Sequence, residues 1–401
     1  MADVIETGVV GTGALLAANV KPDVDQVLKV LEPYQKPFSS WLLLSKKMSK
    51  PVYSQYAKFE WFEQHFFPHY TSVDATISLT GVTLVLTSSN VGDKSIFGLS
   101  DIVVIDQTGE MAYVSSVTAG SGSDVVLTHM DGSTTLTAIT AATGNIRIIG
   151  TRTFEYGARI DAKQLQEVNV YNYLNEFKRF VTTSGRQQAG KAWTDGLSHK
   201  DRVKRKVKEM QLEIERYFFF SNSRGYATSG NTRTTWGYGM DGYLSSNVEP
   251  YTGTLTEDTL LGYFEQLFDT GGSNKKVHFA NSKQMRDIEK IISDKYTLQQ
   301  TPKEMSLFNE FGAEVKTIRV FSGTVSIVWD PVLNDAQKAI GYTIDEENIM
   351  LRHMAPDDLG PRKFDMRTTT DPDKRGTETE ILFDVGLEVG HESTHGKLYQ
   401  S

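Results

Sequence analysis

Residues 377–395 read TETEILFDVGLEVGHESTH, and this stretch decides how the C-terminal part of the chain folds. Its first part alternates apolar and polar side chains with a period of two, as a β-strand does when one of its faces is buried. The alternation stops at Gly390, and the next five residues spell H-E-x-x-H. The apolar positions are Ile381, Phe383, Val385, Leu387 and Val389, and they are interleaved with Glu380, Asp384, Gly386 and Glu388.

The H-E-x-x-H segment admits one enzymatic interpretation, a zinc metallopeptidase that uses His391, Glu392 and His395. On an α-helix the two histidines would share one face and hold Zn²⁺, and the glutamate would act as general base. The preceding strand pattern disfavours a helix, and Gly390 and Gly396 bracket the motif. We therefore expect the end of a sheet strand or a short surface loop, with no metal, no cofactor and no catalytic role.

The composition is that of a globular protein with a large core. The chain has 401 residues, of which 39% are hydrophobic and 23% charged, and this length allows two or three domains. A formal net charge of −8 gives no overall basic footprint for nucleic acid. The lack of cysteine excludes disulfides and thiolate metal sites and fits a reducing compartment.

The apolar run Val9–Val20 is the one segment that resembles a targeting sequence. Asp3 and Glu6 precede it where a signal peptide carries basic residues. The run is also too short to span a bilayer. We interpret it as part of a glycine-rich, mobile N-terminal arm and expect no membrane association.

A small all-β module is predicted between about Tyr70 and Ile149. Short β-branched runs are separated there by Gly, Asn, Asp and Ser at regular intervals, which is typical of a barrel or a curled sheet. Lys94 is the only lysine or arginine between Thr71 and Ile146, so the module is expected to face protein rather than phosphate. The predicted strands are Val82–Thr87, Asp101–Asp106, Ala112–Val117, Asp124–Thr128 and Asn145–Ile149.

A long helix is predicted over residues 198–221. Ser198 with Asp201 three residues later forms a capping box, and an apolar face repeats at intervals of four and three residues. Its first half carries a basic strip, which opposes the helix dipole and places like charges four residues apart. The strip consists of Lys200, Arg202, Lys204, Arg205, Lys206 and Lys208, and the apolar face of Val203, Val207, Met210, Ile214 and Tyr217.

This conflict favours an anionic partner for the basic strip. The partner would be either the acidic side chains of a neighbouring subunit or nucleic acid. The alternative is an ordinary solvated helix face, because most surface charge runs have no partner.

Between these regions the chain predicts a strand over Tyr173–Thr183, and after the long helix it predicts an α/β unit over about 255–354. Two helices are expected there, Glu257–Asp269 and one that begins at Ser282. The predicted strands are Lys276–Ala280, Glu314–Val320, Thr324–Trp329, Ile340–Ile344 and Ile349–Met354, followed by Lys363–Thr370.

The order of these segments resembles the major capsid protein of tailed bacteriophages, a Hong-Kong-97-type fold, in the subfamily with a β insertion in the extended loop. The resemblance covers nearly the whole chain and lies in the shared order of its parts. It is carried by Leu31–Phe38, Phe59–Glu63, Gly150–Gly157, Lys200–Phe219, Thr235–Asn247, Leu255–Gly272, Phe311–Asp330, Lys363–Glu388 and His395–Gly396.

The resemblance implies an α+β chain with five parts. These are an N-terminal arm (1–57), an extended loop (58–160) with a β-barrel-like insertion (70–149), a peripheral domain (161–250) with a spine helix (198–221), an axial α/β domain (251–354), and C-terminal strands that return to the peripheral domain (355–401).

The resemblance also implies self-assembly into the hexamers and pentamers of an icosahedral phage head that encloses double-stranded DNA. The implied partners are further copies of the chain, portal, scaffolding and decoration proteins, and packaged DNA through non-specific contact. The implied location is the virion, assembled in the bacterial host cytoplasm. An encapsulin-like cargo shell is the nearest alternative. We further expect that alanine at His391 and His395 leaves assembly intact, whereas a charge at Phe383 or Val385 does not.

Overall fold

The computed structural model describes residues 38–39, 41, 52–87, 89, 91–93, 95–117, 124–140, 144–153, 166–190, 198–295, 315–320, 322–356, 362–370 and 375–401. The chain forms two units, a main unit (1–61 and 170–401) and an inserted unit (62–169). Most of the predicted N-terminal arm lies outside the described residues, as does Lys94.

The strands of the described residues are β1 (Val52–Ser54), β2 (Lys58–Glu63), β3 (Tyr70–Ser72), β4 (Leu79–Thr80), β5 (Thr83–Leu86), β6 (Asp101–Ile105), β7 (Met111–Val117), β8 (Val125–His129), β9 (Asn145–Thr151), β10 (Val168–Tyr173), β11 (Asn175–Ser184), β12 (Gly225–Ser229), β13 (Thr232–Trp236), β14 (Val248–Tyr251), β15 (Lys275–Ala280), β16 (Val315–Val320), β17 (Gly323–Trp329), β18 (Ile340–Asp345), β19 (Ile349–Met354), β20 (Asp365–Thr370), β21 (Gly376–Val389) and β22 (Gly396–Gln400). The helices are α1 (Gly185–Ala189), α2 (His199–Phe220), α3 (Met240–Tyr243), α4 (Glu257–Asp269) and α5 (Ser282–Lys295), with 3-10 turns at Pro331–Ala336, Glu346–Asn348 and Glu392–Thr394.

The inserted unit is built on a seven-stranded antiparallel sheet in the order β3-β9-β6-β7-β8-β5-β4. Alternate residues of its strands point into one core, which contains Leu84, Val103, Val114, Leu127 and Ile146. The five strands predicted for this region are confirmed to within about two residues at each end. Local alternation sufficed because each of these strands has one buried face.

The long helix α2 packs on a five-stranded sheet of the main unit, in which β1-β19-β21-β11 are neighbours and β20 also pairs with β21. Ser198 caps the helix by accepting a hydrogen bond from the backbone N–H of Asp201. Met210, Ile214 and Tyr217 are buried against the sheet, and Val203 is partly buried. The predicted helix and its apolar face are therefore confirmed.

A second sheet of the main unit has six strands in the order β14-β22-β18-β15-β17-β16. Helices α4 and α5 have their apolar residues in its core, which includes Phe264, Leu267, Ile288 and Ile327. The helices and strands predicted between 255 and 354 are all found. Of the helices in the described part of the chain, none combines the length and the apolarity needed to cross a membrane.

Two expectations about strands differ from the structure. The single strand predicted over 173–183 is divided at Leu174, whose backbone N–H donates to the carbonyl oxygen of Ala57. The strand before Leu174 is β10, which pairs with β2, and the strand after it is β11, which pairs with β21. Strand β21 begins with one buried face but is buried on both sides over Asp384–Leu387, while Phe383 stays partly exposed. Strand β22 lies in the six-stranded sheet, between β14 and β18.

Strand pairing therefore crosses the predicted boundary at 354/355 in both directions. Strand β19, predicted in the axial part, pairs with β21 of the five-stranded sheet. Strand β22, predicted in the C-terminal part, lies between β14 and β18. Sequence order gave no sign of this exchange, because each strand by itself has an ordinary apolar pattern.

Candidate functional site

The basic strip lies on the first half of α2. Lys200 and Lys204 are exposed, and the other four cations of the strip are half-buried. Val203 and Val207 turn toward the core between them. The structure thus places all six cations on one helix segment, around an apolar stripe that faces the core.

Several of these cations are held by neighbours on the same surface. Arg202 donates to the Gln187 side chain at 3.3 Å. Lys206 forms an ion pair with Glu209, one turn further along the helix. The hydrogen bond of Asp201 with Ser198, aided by the nearby charges of Lys204 and Arg205, lowers the pKa of the Asp201 carboxyl. Neighbouring side chains therefore relieve part of the repulsion between the cations of the basic strip.

The H-E-x-x-H residues form the 3-10 turn between β21 and β22. Strand β21 ends at Val389, and His391 has a left-handed backbone with φ of 50°. His395 is buried, and its Nδ1 accepts the N–H of Asp345 at 3.1 Å. Its Nε2 lies 3.3 Å from the Gly390 carbonyl oxygen, so the neutral ring donates there. The expected strand end is found, since β21 ends just before the motif, but the alternative of a surface loop is wrong for His395, which is buried.

Glu392 has a structural role in the same turn. Its Oε1 accepts the backbone N–H groups of Ser245 and Ser246, at 2.5 and 2.7 Å, and its Oε2 accepts the Ser246 hydroxyl at 2.7 Å. Because the turn is not an α-helix, the two histidines do not share the helical face that a zinc peptidase motif needs. Burial also lowers the pKa of His395 to about 4.

A buried network that the sequence did not indicate supports this turn. Lys276 and Asp345 face each other on β15 and β18, with Nζ and Oδ2 3.4 Å apart and both side chains fully buried. Lys276 also donates to the Thr394 carbonyl oxygen at 2.9 Å. Asp345 accepts the Ser273 N–H at 2.8 Å. Burial lowers the pKa of Lys276, and the charge of Asp345 partly opposes that shift.

The available signal for this network was a lysine at the start of the apolar run Val277–Ala280. A charged residue that enters a buried strand is rare without a partner. The partner lies 69 residues away in sequence, so the sequence alone could not name it.

The family model for the SU10 major capsid protein matches residues 6–400. The chain belongs to the SU10 major capsid protein family. It is a major capsid protein with a mixed α/β fold, so the resemblance to a major capsid protein drawn from the sequence is confirmed. As a capsid protein it self-associates into capsomers and forms part of the virion.

Solved capsid and shell structures are similar to the chain at low identity. The capsid of the empty GTA particle has 10% identity and a TM-score of 0.48, with 98% of each chain covered. Microbacterium phage Oxtober96 has 10% identity and a TM-score of 0.46, covering 98% of this chain and 99% of its own. The holo-SrpI encapsulin of Synechococcus elongatus PCC 7942 has 10% identity and a TM-score of 0.41, covering 58% and 77%. No curated protein matches the chain.

Proposed function

We propose that copies of this chain close into the hexamers and pentamers of an icosahedral head that encloses double-stranded DNA. The supporting observation is the number of large apolar side chains that the single chain leaves in water. Tyr56 is 75% exposed, Phe66 99%, Tyr70 61% and Tyr226 59%. Large apolar side chains that are left in water often lie where a protein associates with a partner. Heterologous contacts that close into rings would cover these side chains.

In this proposal the chain has a structural role and no catalytic one. Portal, scaffolding and decoration proteins are its further partners, and assembly takes place in the host cytoplasm. The five residues that spell a peptidase motif are explained by their hydrogen bonds within the fold. A shell with peptidase activity that is lost in Glu392→Gln would overturn the structural assignment.

Expression of the full chain followed by electron microscopy tests the assembly. We expect rings, tubes or closed shells, with nucleic acid inside those that form in a phage-infected cell. A monomer at all concentrations would contradict the proposal. Closed shells that contain protein and exclude nucleic acid would favour the cargo-shell alternative.

We also propose that the basic strip of α2 contacts an anionic surface in the assembled head. The inserted region of a neighbouring copy could supply this anionic surface. Residues 62–169 contain 11 acidic and 5 basic residues, so they carry a net charge of −6 out of the total of −8. Packaged DNA is the other source. Both would neutralise the cations whose mutual repulsion the isolated helix tolerates.

The triple variant Lys204→Gln, Arg205→Gln and Lys208→Gln tests this contact. A matched triple that removes exposed cations elsewhere is Arg286→Gln, Lys290→Gln and Arg319→Gln. We expect the strip variant to lose shell yield if the partner is a neighbouring subunit, or DNA content with normal shells if the partner is DNA. Unchanged yield and unchanged content in the strip variant would show that the strip is only a solvated face.

A further inference from the structure

The carboxyl group of Glu215 is a fully buried anchor for the chain near residue 38. Glu215 lies on the core side of α2 and is 0% exposed. Its Oε1 accepts the backbone N–H of Phe38 and its Oε2 that of Ser39, both at 2.9 Å. One carboxyl therefore holds two consecutive peptide groups of a segment that is 177 residues away in sequence.

Aromatic packing holds the same segment from the other side. The Phe38 ring lies 4.7 Å from the Phe219 ring and 5.1 Å from the Phe279 ring, between centroids. Trp41 packs on Phe279 at 5.6 Å. Both Phe38 and Trp41 are buried. The polar anchor thus sits inside an apolar core, where an unpaired charge is expensive.

A second buried carboxyl, Asp330, lies against the first. Asp330 follows β17 and is 0% exposed, and its Oδ1 accepts the N–H of Val332 at 2.9 Å. Its Oδ2 is buried with no partner that can donate to it, and its carboxyl reaches the side chain of Glu215. Two ionised carboxylates offer only acceptors to each other. The contact is a hydrogen bond only when one of the two carries a proton.

Among the described residues, neither carboxyl has a cationic partner. Within the described part of the chain, no lysine, arginine or histidine forms an ion pair with Glu215 or Asp330. The titratable groups on the packed elements are engaged elsewhere. On α2 and the 3-10 turn Arg216 pairs with Asp335, on β15 Lys276 and His278 bond to Asp345 and Thr343, and on β18 Tyr342 donates to Asp241.

We propose that Glu215 and Asp330 share one proton, and that this carboxyl pair is a pH-sensitive latch that holds the segment at Phe38–Ser39 on helix α2. Two backbone N–H groups stabilise the charge on Glu215, so the proton resides on Asp330 and is donated to Glu215. Loss of that proton places two like charges in contact in the core. The segment is the group that can leave, because it is connected to the pair by the hydrogen bonds that Phe38 and Ser39 donate to Glu215.

The titration behaviour agrees with this geometry. Burial raises the pKa of Asp330 well above its ordinary 3.8, and the adjacent charge of Glu215 raises it further. Burial also raises the pKa of Glu215, while its hydrogen bonds with Ser39, Asp330 and Phe38 oppose that rise. The folded chain therefore keeps a proton that the unfolded chain loses above about pH 4. Its folding equilibrium weakens by about tenfold per pH unit from there up to the pKa of the pair.

The variant Asp330→Asn separates this latch from an ordinary buried acid. An asparagine side chain keeps an oxygen for Val332 and offers a permanent N–H to Glu215, so it imitates the protonated state at every pH. We compare the full chain and the variant in chemical denaturation between about pH 5 and pH 9. The surface change Asp335→Asn, at the exposed end of the same turn, is the control.

We expect the wild type to lose stability relative to Asp330→Asn as the pH rises, with a slope of about tenfold per unit over part of this range. Protease cleavage near residue 38 should accelerate with pH in the wild type and not in the variant. Parallel pH profiles for the two proteins would overturn the proposal. So would the absence, at acidic to neutral pH, of a protonated-carboxyl infrared band that disappears in Asp330→Asn.

Glu215→Gln provides a second arm. The glutamine amide points N–H groups at one of the two backbone N–H groups, so the anchor is lost at every pH. We expect a stability that is lower throughout. If that variant does not fold, the comparison of Asp330→Asn with the wild type still decides the question.

Discussion

Lys276 and Asp345 form an ion pair in the interior of the six-stranded sheet, with Nζ 3.4 Å from Oδ2 and neither side chain exposed. They are direct neighbours across β15 and β18. Through the Thr394 carbonyl oxygen and the Asp345 N–H, the same pair supports the turn that carries His391 to His395. Residues 391–395, which look most like a metal site in the sequence, thus belong to a hydrogen-bonded network that holds the turn before the C-terminal strand β22.

The first prediction concerns this buried pair. Lys276→Met leaves the carboxylate of Asp345 and the Thr394 carbonyl oxygen without their cation, so we expect a loss of about 3–5 kcal/mol in unfolding free energy. Urea denaturation of the unassembled chain measures it. The control is Lys178→Met, which breaks a half-exposed pair with Glu380 and should cost less than about 1 kcal/mol. Equal losses in the two variants would contradict the prediction.

The second prediction separates the two histidines of the turn. His395→Ala removes a buried ring and leaves the Asp345 N–H unpaired, so we expect a loss of about 2–4 kcal/mol. His391→Asn keeps a residue that tolerates the left-handed backbone and should cost less than about 1 kcal/mol. The sequence-based expectation that alanine at both positions leaves assembly intact stays a prediction, and the burial of His395 argues against it for that residue. Thermal unfolding of the two single variants checks it, and an unaffected His395→Ala would contradict it.

The third prediction concerns acid. Burial lowers the pKa of both His278 and His395 to about 4 from an ordinary 6.5. Because the unfolded chain takes up these protons first, the contribution of the two neutral histidines to stability is complete above pH 6.5 and is lost as the pH drops toward 4. Each histidine contributes up to roughly 3 kcal/mol of that loss. Denaturation at several pH values measures the slope of the unfolding free energy against pH, which gives the number of protons taken up on unfolding. In His395→Gln this number should fall by about one.

The carboxyl pair acts on the same curve with the opposite sign. The one proton that Glu215 and Asp330 share favours the folded state as the pH falls. This gain partly offsets the loss of stability caused by the two histidines. Asp330→Asn lacks this offset, so its acid loss should be steeper than that of the wild type. A shallower acid loss in this variant would mean that the pair does not hold a proton.

Local patterns predicted the parts of the fold that have local causes. The apolar face of α2 and the strands of the inserted unit follow from residues a few positions apart, such as Met210 with Ile214. The buried pairs join residues from distant segments. Glu215 did carry a signal, since an acid three residues before Phe218 and four before Phe219 lies on an apolar face. Its partners, Phe38 and Asp330, could not be predicted, because they come from segments that are distant in sequence and meet Glu215 only in the folded chain.

The final prediction distinguishes two positions of β21 that the sequence treated as equivalent. Val385 is fully buried, between Asn175 of β11 and His353 of β19. Phe383 is only partly buried, and its ring contacts His353 at 5.8 Å and Phe364 at 6.4 Å, between centroids.

Val385→Asp therefore places a charge where no water reaches it, and we expect a loss of at least about 3 kcal/mol together with failed assembly. In Phe383→Asp the carboxylate can reach solvent, so the loss is that of apolar contacts, about 1–3 kcal/mol. Thr377→Asp, at a half-buried position of the same strand, controls for added charge. Soluble yield, denaturation and electron microscopy of the three variants measure the order. If Phe383→Asp is as destabilising as Val385→Asp, the prediction is wrong, and the two positions are equivalent as the alternating sequence pattern indicates.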